Sequence, residues 1–366
     1  MNPLFPAVAA ISAAVLVPVS PAGAGCCMIS PVKADETVLF FTTAASPAED
    51  QPGVWLAEVH GMIFENEQSR LIGALLRKML GIEEASLTAE DNVLLRQRLA
   101  LFTVDCERGK ALRIVLGGQT FDLPASGPNG HFRTTLRLPA SMVKGHRELP
   151  FTAVLRPGDT RRFEGKILLP AADAAGPLVI SDLDDTIKLS EVRDRAQLRL
   201  NTFCRPFRAV PGMAPLYQRW QTVHHAQFHY VSGSPWQLYG PLETFIRSEG
   251  FPEGTWHLKH LRLKDPSTLR TFLGPHHVHK TAGIRAIIER WPRRAVILVG
   301  DTGEQDPEIY ADLAQRYPDR IHRILLRNVT GETRPGPRLG VLFQNVPPEK
   351  WLLFENAAEV PKGWGN

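Results

Sequence analysis

The stretch VISDLDDTIKLSEV, residues 179–192, places a group of aspartates directly after a short apolar run. Asp182, Asp184 and Asp185 fall within four positions of the chain. Like charges gathered at the end of a strand repel one another, so this concentration of carboxylates is unfavourable by itself. Such a cluster is expected where chemistry requires it, and the surrounding sequence indicates which chemistry.

From residue 177 onward, apolar strands alternate with helices. We predict strands at 177–181, 226–231, 255–258, 294–300 and 321–327, and helices at 234–248, 280–291 and 306–316. This alternation predicts an α/β fold with a parallel sheet and right-handed crossovers. In such a sheet, functional groups gather where the strands end.

The ends of these elements carry polar groups that suit phosphoryl transfer. They are Asp182, Asp184, Asp185 and Thr186 after the first strand, Ser232 after the second, Lys280 at a helix start, and Asp301 and Asp306 after the strand at 294–300. One carboxylate can attack phosphorus while another exchanges protons with the leaving oxygen and with water. Carboxylates also bind Mg²⁺, and Ser and Lys side chains stabilise a phosphoryl group.

Each of these signals has a simpler interpretation when it is taken alone. The D-x-D-x-T triplet also fits a calcium loop or a capped turn, Ser232 fits a turn, and Lys280 fits a solvated helix start. Their order and their positions at successive element ends favour a single catalytic site.

Four short motifs of the chain resemble those of the haloacid dehalogenase superfamily of phosphotransferases: DLDDT, YVSGS, HK and GDTGEQD. Longer strings, such as FHYVSGSPWQLYGPLETFI and VGDTGEQDPEIYADLAQRYPDRI, resemble the catalytic domain of the Mg²⁺-dependent phosphatidate phosphatases typified by the fungal actin-patch enzyme. The resemblance covers about residues 177–329. It implies a haloacid-dehalogenase-like Rossmannoid parallel sheet and hydrolysis of phosphatidate to diacylglycerol through an aspartyl-phosphate intermediate.

The resemblance also implies roles for individual residues. Asp182 would be the nucleophile and Asp184 the acid and base, while Ser232 and Lys280 would bind phosphate. Asp301 would bind Mg²⁺ together with Asp182 and the backbone carbonyl of Asp184. Asp306 would support this metal site, and no role is implied for Asp185.

A basic stretch follows the aspartate cluster and is a candidate contact for a lipid headgroup. Residues 187–220 hold seven basic and two acidic residues. The candidate headgroup contacts are Lys188, Arg195, Arg199 and Arg205. A basic rim attracts an anionic headgroup or membrane surface, and a solvated charged face is the alternative.

The preceding region, 36–170, is predicted to be a β-rich, sandwich-like domain with one amphipathic helix. In SRLIGALLRKMLG, the apolar residues Leu71, Ile72, Leu75, Leu76, Met79 and Leu80 share one helix face. We expect that face to pack onto the β-rich domain, and binding to a membrane is the alternative. The catalytic domain is predicted at 176–330 and a C-terminal extension at 331–366.

The first 30 residues are apolar and rich in small side chains. The run 7–19 is short for a bilayer span, and Ala22-Gly23-Ala24 offers a cleavage site, so a signal peptide is predicted. Lipid attachment at Cys26 and a disordered N-terminus are alternatives. We expect an extracytoplasmic protein, with a cytoplasmic, membrane-associated one as the alternative.

Composition narrows the class of function. The chain of 366 residues has a net charge of +4 and no basic run, so nucleic-acid binding is not expected.

The favoured function is a Mg²⁺-dependent phosphatidate phosphatase. The alternatives are a phosphatase for soluble or protein phosphomonoesters and a non-catalytic lipid-binding or envelope protein. A pure binding module has no need of both Asp182 and Asp184. Headgroup and acyl preference and oligomeric state stay open.

Overall fold

The computed structural model describes residues 30–66, 70–170, 176–261, 277–334 and 336–363. The predicted export segment with Cys26, except for its last residue, and most of the predicted linker 170–176 lie outside the described residues. No helix in the described part of the chain is both long and apolar enough to cross a bilayer.

The N-terminal half is β-rich, as predicted. Its strands are β1 Ser30–Pro31, β2 Glu36–Phe40, β3 Thr43–Pro47, β4 Val54–Glu65, β5 Asp105–Cys106, β6 Lys110–Ala111, β7 Arg113–Leu116, β8 Gln119–Asp122, β9 His131–Pro139, β10 Glu148–Val154 and β11 Glu164–Leu168. The main sheet runs β2-β4-β3-β11-β10-β7-β8, with β5 and β9 also paired to β4.

This sheet closes over its own apolar core. The ring of Phe40 on β2 lies 4.8 Å from that of Phe151 on β10, although the two strands are four steps apart in the sheet. Phe40 also contacts Phe132 on β9 at 5.8 Å. The strands β2 and β10 therefore face each other across the core, in keeping with the sandwich-like arrangement predicted from the sequence.

The described part of this half contains three helices, whereas the sequence predicted one. They are α1 Arg70–Leu80, α2 Ala89–Ala100 and the short α3 Ala140–Val143. The helix α2 begins after Thr88, whose hydroxyl accepts a hydrogen bond from the Asp91 amide at 3.1 Å. It escaped prediction because its inner face combines Leu95 and Leu99 with a buried Arg98, which breaks the apolar pattern.

The C-terminal half is the predicted α/β fold. Its strands are β12 Leu178–Ser181, β13 Gln227–Pro235, β14 Gly254–Lys259, β15 Val296–Asp301, β16 Ile321–Arg327 and β17 Trp351–Phe354. They form one sheet of order β14-β13-β12-β15-β16-β17, and every pairing is parallel. The sixth strand, β17, comes from the predicted C-terminal extension.

Six helices belong to the described residues of this half. They are α4 Arg195–Phe203, α5 Met213–His224, α6 Tyr239–Ser248, α7 His277–Arg290, α8 Asp306–Arg316 and α9 Leu339–Leu342. The sequence did not predict α4 and α5. The helix α4 is largely polar and starts at Asp194, whose carboxylate accepts from the amides of Ala196 and Gln197. The helix α5 carries Pro215, a turn signal in sequence that the first turn of a helix tolerates.

Imidazoles and aromatic rings fill the junction between the two halves. The Nε2 atom of His60 lies 3.1 Å from Nδ1 of His131, and the ring of His131 lies 4.5 Å from that of His260. Phe41 packs on Trp236 with ring centroids 4.2 Å apart. The two halves are therefore joined by a partly polar interface.

An arginine at the end of α7 ties the halves together. Arg290 pairs with the carboxylate of Glu58 on β4 at 2.8 Å. Its guanidinium also donates to the carbonyls of Ala44 and Leu56, at 3.1 and 2.7 Å. The helix that begins near Lys280 thus ends on the β-rich half.

Candidate active site

The carboxyl ends of β12, β13 and β15 meet the first turns of α7 and α8 at one edge of the parallel sheet. This arrangement collects the candidate catalytic, phosphate-binding and metal-binding residues: Asp182, Asp184, Ser232, Lys280, Asp301 and Asp306. Adjacent parallel pairing of β12 with β13 and β15 is what brings these strand ends side by side.

Lys280 is the buried cation of this cluster. Its Nζ atom lies 2.7 Å from Asp182 Oδ1, 2.8 Å from Asp306 Oδ1 and 2.9 Å from Glu304 Oε2. Burial alone would lower the pKa of this amine, but the surrounding carboxylates raise the pKa of Lys280 well above its usual value. The lysine is therefore held as a cation where a phosphoryl group would need one.

Three carboxylates form a group with the spacing of metal ligands. One oxygen each from Asp182, Asp301 and Glu304 lies within 4.8 Å of the others. Burial and the neighbouring carboxylates raise the pKa of both Asp182 and Asp301 well above the ordinary aspartate value. Buried carboxylates in such proximity are stabilised by a cation.

One atom of this group has a specific need for a ligand. The Oδ2 atom of Asp301 is buried and has no hydrogen-bond partner among the described residues. Its Oδ1 atom accepts from the amides of Gly303 and Glu304, so only Oδ2 remains to be satisfied. A hard divalent cation with oxygen ligands, such as Mg²⁺, fits this donor set.

Asp306 contacts two residues of the site, Lys280 and Asp301. Its Oδ1 atom binds Lys280, and its Oδ2 atom accepts from the backbone amide of Asp301 at 3.4 Å. Both carboxylate oxygens are thus engaged with protein groups, so Asp306 positions Lys280 and Asp301.

Asp184 lies in a different environment from Asp182. Its Oδ1 atom contacts Lys188 Nζ and Ser190 Oγ, both at 2.6 Å. Burial would raise the pKa of Asp184, but the charge and hydrogen bond of Lys188 and the hydroxyl of Ser190 lower it to about 2. The two aspartates therefore have opposite pKa shifts, as expected for groups with different duties.

Two serines of β13 face the second oxygen of Asp184. The hydroxyls of Ser232 and Ser234 each donate to Asp184 Oδ2 at 3.3 Å, and the Ser234 amide donates to Ser232 Oγ at 2.9 Å. Two hydroxyl donors therefore lie side by side at the Asp184 carboxylate.

Asp185 shapes the loop that follows the aspartate cluster. Its backbone adopts a left-handed conformation with a φ of 52°. Its carboxylate accepts from the amides of Ser190, Glu191 and Val192 at 2.7 to 2.9 Å. The third aspartate, for which the sequence implied no role, thus folds the chain back so that Lys188 and Ser190 reach Asp184.

A cavity of about 380 Å³ opens beside these groups. Asp184, Ser234, Lys280 and Glu304 line it. Arg195 and Arg199 of α4, two of the candidate headgroup contacts, line it as well.

The other two candidate headgroup contacts lie elsewhere. Lys188 is buried and ion-paired with Asp184, which differs from the surface position expected of a rim. Arg205 donates to Gln197 and Asn201 of α4 at 2.8 and 3.0 Å and is not among the described residues that line the cavity.

Sequence reasoning missed Glu304, Ser190 and Ser234. Glu304 was visible as the acidic residue inside GDTGEQD, and Ser234 as the second serine of YVSGS. Ser190 had no comparable signal, because it reaches Asp184 only through the turn that Asp185 creates.

Comparisons with known proteins concern the α/β half. Residues 177–328 match the family model described as phosphatidate phosphatase APP1, catalytic domain. An uncharacterized protein of Schizosaccharomyces pombe is 31% identical over 168 residues, which are 45% of this chain and 27% of that protein. Phosphatidate phosphatase APP1 of Saccharomyces cerevisiae is 34% identical over 152 residues, or 41% of this chain and 25% of that protein.

This chain thus spans about a quarter of the length of these relatives. The matched segment contains the carboxylate group, Lys280 and both serines of β13. Residues 177–328 are similar to the catalytic domain of a phosphatidate phosphatase.

Proposed function

We propose that this chain is a Mg²⁺-dependent phosphatidate phosphatase of the haloacid dehalogenase superfamily, which hydrolyses phosphatidate to diacylglycerol and phosphate. The observation that carries the proposal is the buried group of Asp182, Asp301 and Glu304 beside Lys280, with one carboxylate oxygen unsatisfied. This group lies within residues 177–328, which match the phosphatidate phosphatase family model, and the chain is 34% identical over 152 residues to a named phosphatidate phosphatase.

In the proposed reaction, a carboxylate oxygen of Asp182 attacks phosphorus and the bond from phosphorus to the diacylglycerol oxygen breaks. Asp184 gives a proton to that oxygen. A water molecule then attacks the aspartyl-phosphate, gives its proton to Asp184, and releases phosphate and the Asp182 carboxylate.

The low pKa of Asp184 suits the second step directly, because an ionised carboxylate accepts the proton of water. For the first step Asp184 must be protonated. The negative charge of a bound phosphoryl group raises the pKa of a neighbouring carboxyl. We therefore expect the proton on Asp184 to arrive together with the substrate.

Lys280, Ser232 and Ser234 would hold the phosphoryl oxygens. Asp182, Asp301 and the Asp184 carbonyl would hold Mg²⁺, with Glu304 in the same group. The ion would neutralise charge on the phosphoryl group. Lys280 contributes a second fixed cation, and its contact with Asp306 keeps it in place.

The metal requirement is a direct test. Treatment with EDTA is expected to remove activity on phosphatidate, and added Mg²⁺ is expected to restore it. Mg²⁺ should also raise the melting temperature of the metal-free chain, because a ligand that binds only the folded state stabilises it.

Asp301→Asn should abolish that thermal response to Mg²⁺, whereas Asp312→Asn, at a partly exposed position of α8, should leave it unchanged. Full activity after exhaustive EDTA treatment would contradict metal dependence.

Substitution of the two arginines that line the cavity tests the substrate class. Arg195→Gln combined with Arg199→Gln is expected to raise the KM for phosphatidate in mixed micelles up to about thirtyfold, since each basic side chain near an anionic lipid surface contributes about 1 kcal/mol. The effect on p-nitrophenyl phosphate should be smaller, and added salt should mimic the substitutions.

Arg205→Gln is the matched control, because that guanidinium is engaged with Gln197 and Asn201. Equal slowing of lipid and soluble substrates would show that the two arginines have no selective role in lipid recognition. A panel of phosphatidate, lysophosphatidate and soluble phosphomonoesters then decides the substrate.

A further inference from the structure

The helix α1 presents more apolar surface than the protein covers. Leu76 and Leu80 are buried in the core, as the sequence predicted for this face. Ile72, Leu75 and Met79 remain 37%, 55% and 45% exposed. We call these three side chains the docking face. The expected packing of the whole apolar face onto the β-rich domain is thus correct for only part of it.

The last turn of α1 is basic and contains Arg77 and Lys78. Lys78 is exposed and lies about a quarter turn from the docking face, whereas Arg77 is half-buried on another side of the helix. A surface helix that combines exposed aliphatic residues with basic neighbours is typical of segments that lie in the interface of a bilayer. The combination favours an anionic lipid surface over a neutral one.

The helix pair α1 and α2 is fixed to the helix that lines the active-site cavity. Arg98 of α2 is buried and donates to the carbonyls of Thr202 and Arg205, both at 2.8 Å. Its guanidinium also lies 3.9 Å from the centre of the Phe207 ring. Because these contacts are buried, α1 and α2 hold a defined position relative to α4.

A groove continues from the end of α1 to the cavity. It is lined by Gly81, Ile82, Glu83, Ser86, Ala196, Arg199 and Leu200. Arg199 belongs both to this groove and to the active-site cavity. The groove at the end of α1 and the active-site cavity therefore share one basic residue.

We propose that the docking face inserts into the surface of an anionic bilayer and places the active-site cavity beside the lipid headgroups. The proposal rests on the proposed function, which makes a membrane phospholipid the substrate. The exposed side chains of α1 are the evidence for which surface meets the membrane. The acyl chains of the substrate then stay in the bilayer while the phosphoryl group enters the cavity.

A second copy of this chain is a poorer occupant of the docking face. Three side chains on one helix fall well short of the roughly 800 Å² per partner that a stable protein interface buries. A symmetric pairing of two α1 helices would also bring the basic residues of both copies together. A lipid surface has neither disadvantage.

The test compares vesicle binding of the full chain with that of Leu75→Glu combined with Met79→Glu. Flotation with phosphatidylcholine vesicles, with and without phosphatidylserine, measures binding independently of catalysis. We expect affinity for the anionic vesicles to fall about tenfold or more, since each buried aliphatic side chain contributes enough for such a factor. Activity on p-nitrophenyl phosphate and the melting temperature should stay unchanged.

The matched control is Val223→Glu combined with Val341→Glu, at valines that are 52% and 63% exposed on α5 and α9. Equal vesicle binding by the α1 variant and the unchanged chain would overturn the proposal. So would a change in sedimentation without lipid, which would identify self-association. If the glutamate variant fails to fold, Leu75→Gln with Met79→Gln replaces it and is judged by the same measurements.

Failure of the proposed function is distinguishable from failure of this proposal. A chain that hydrolyses no phosphatidate in any form would refute the proposed substrate, while flotation would still decide whether α1 binds lipid.

Discussion

Asp182→Asn is expected to remove phosphatase activity and leave the metal-free chain as stable as before or more stable. A neutral amide cannot form the acyl-phosphate, so the rate should fall by about four orders of magnitude or more. The measurement is phosphate release from phosphatidate at saturating substrate.

The stability part of this prediction follows from the electrostatics of the site. Burial, together with the carboxylates of Asp306, Glu304 and Asp301, raises the pKa of Asp182 despite the nearby Lys280. The charged form is therefore disfavoured, and an amide of the same shape removes that strain. Lys280 keeps Glu304 and Asp306 as partners in the variant.

Thermal unfolding in EDTA checks this second part. Asp312→Asn, at a partly exposed aspartate of α8 that is ion-paired with Arg316, is the control for the chemical change and should preserve activity. Near-normal turnover by Asp182→Asn would refute the covalent mechanism. A large drop in melting temperature would instead mean that the carboxylate is needed for folding.

The second large effect is a loss of stability in mild acid, caused by the histidines at the junction of the two halves. Burial, and then the neighbouring His260, lowers the pKa of His131 to about 3. Burial is also the main cause that lowers the pKa of His257 to about 4, and it holds the pKa of His60 and His229 well below the usual value.

The direction of the effect follows from proton binding. An unfolded histidine has a pKa of about 6.5 and gains a proton as the pH falls below that value, whereas the folded imidazoles stay neutral. The unfolded state then binds more protons, so the free energy of unfolding decreases with falling pH. At pH 5, His131 and His257 should each contribute a loss of up to about 2 kcal/mol.

Denaturant unfolding at pH 7 and pH 5 measures this loss. His131→Asn is expected to reduce the difference between the two pH values by about 2 kcal/mol relative to the unchanged chain. Because the active-site carboxylates titrate in both proteins, the comparison isolates the imidazole. His146→Gln, at an exposed position, is the control. An identical pH dependence for His131→Asn and the unchanged chain would contradict the assignment.

The sequence predicted the parallel sheet and the meeting of its strand ends because both follow from local pattern and topology. Once strands end at Asp182, Ser232 and Asp301, parallel pairing brings them together without further information. The start of α7 at Lys280 joins them for the same reason.

Other features depend on contacts that no local pattern encodes. The helix α4 is largely polar and begins after a capping aspartate, and α5 carries a proline in its first turn that reads as a turn signal. The junction histidines come from positions as distant as His60 and His257, so only the folded chain places them together. Glu304 was in a quoted motif, but its contact with Lys280 depends on how the chain enters α8.

The sixth strand of the parallel sheet determines how far a truncated fragment of this protein must extend to contain the whole sheet. Residues 324–327 of β16 pair with β17, which lies beyond the segment matched by the family model. A fragment that stopped at residue 328 would leave the backbone amides and carbonyls along that edge of β16 without partners. Open edges of this kind recruit strands from other molecules and promote aggregation. A fragment that keeps this edge paired therefore extends at least to Phe354.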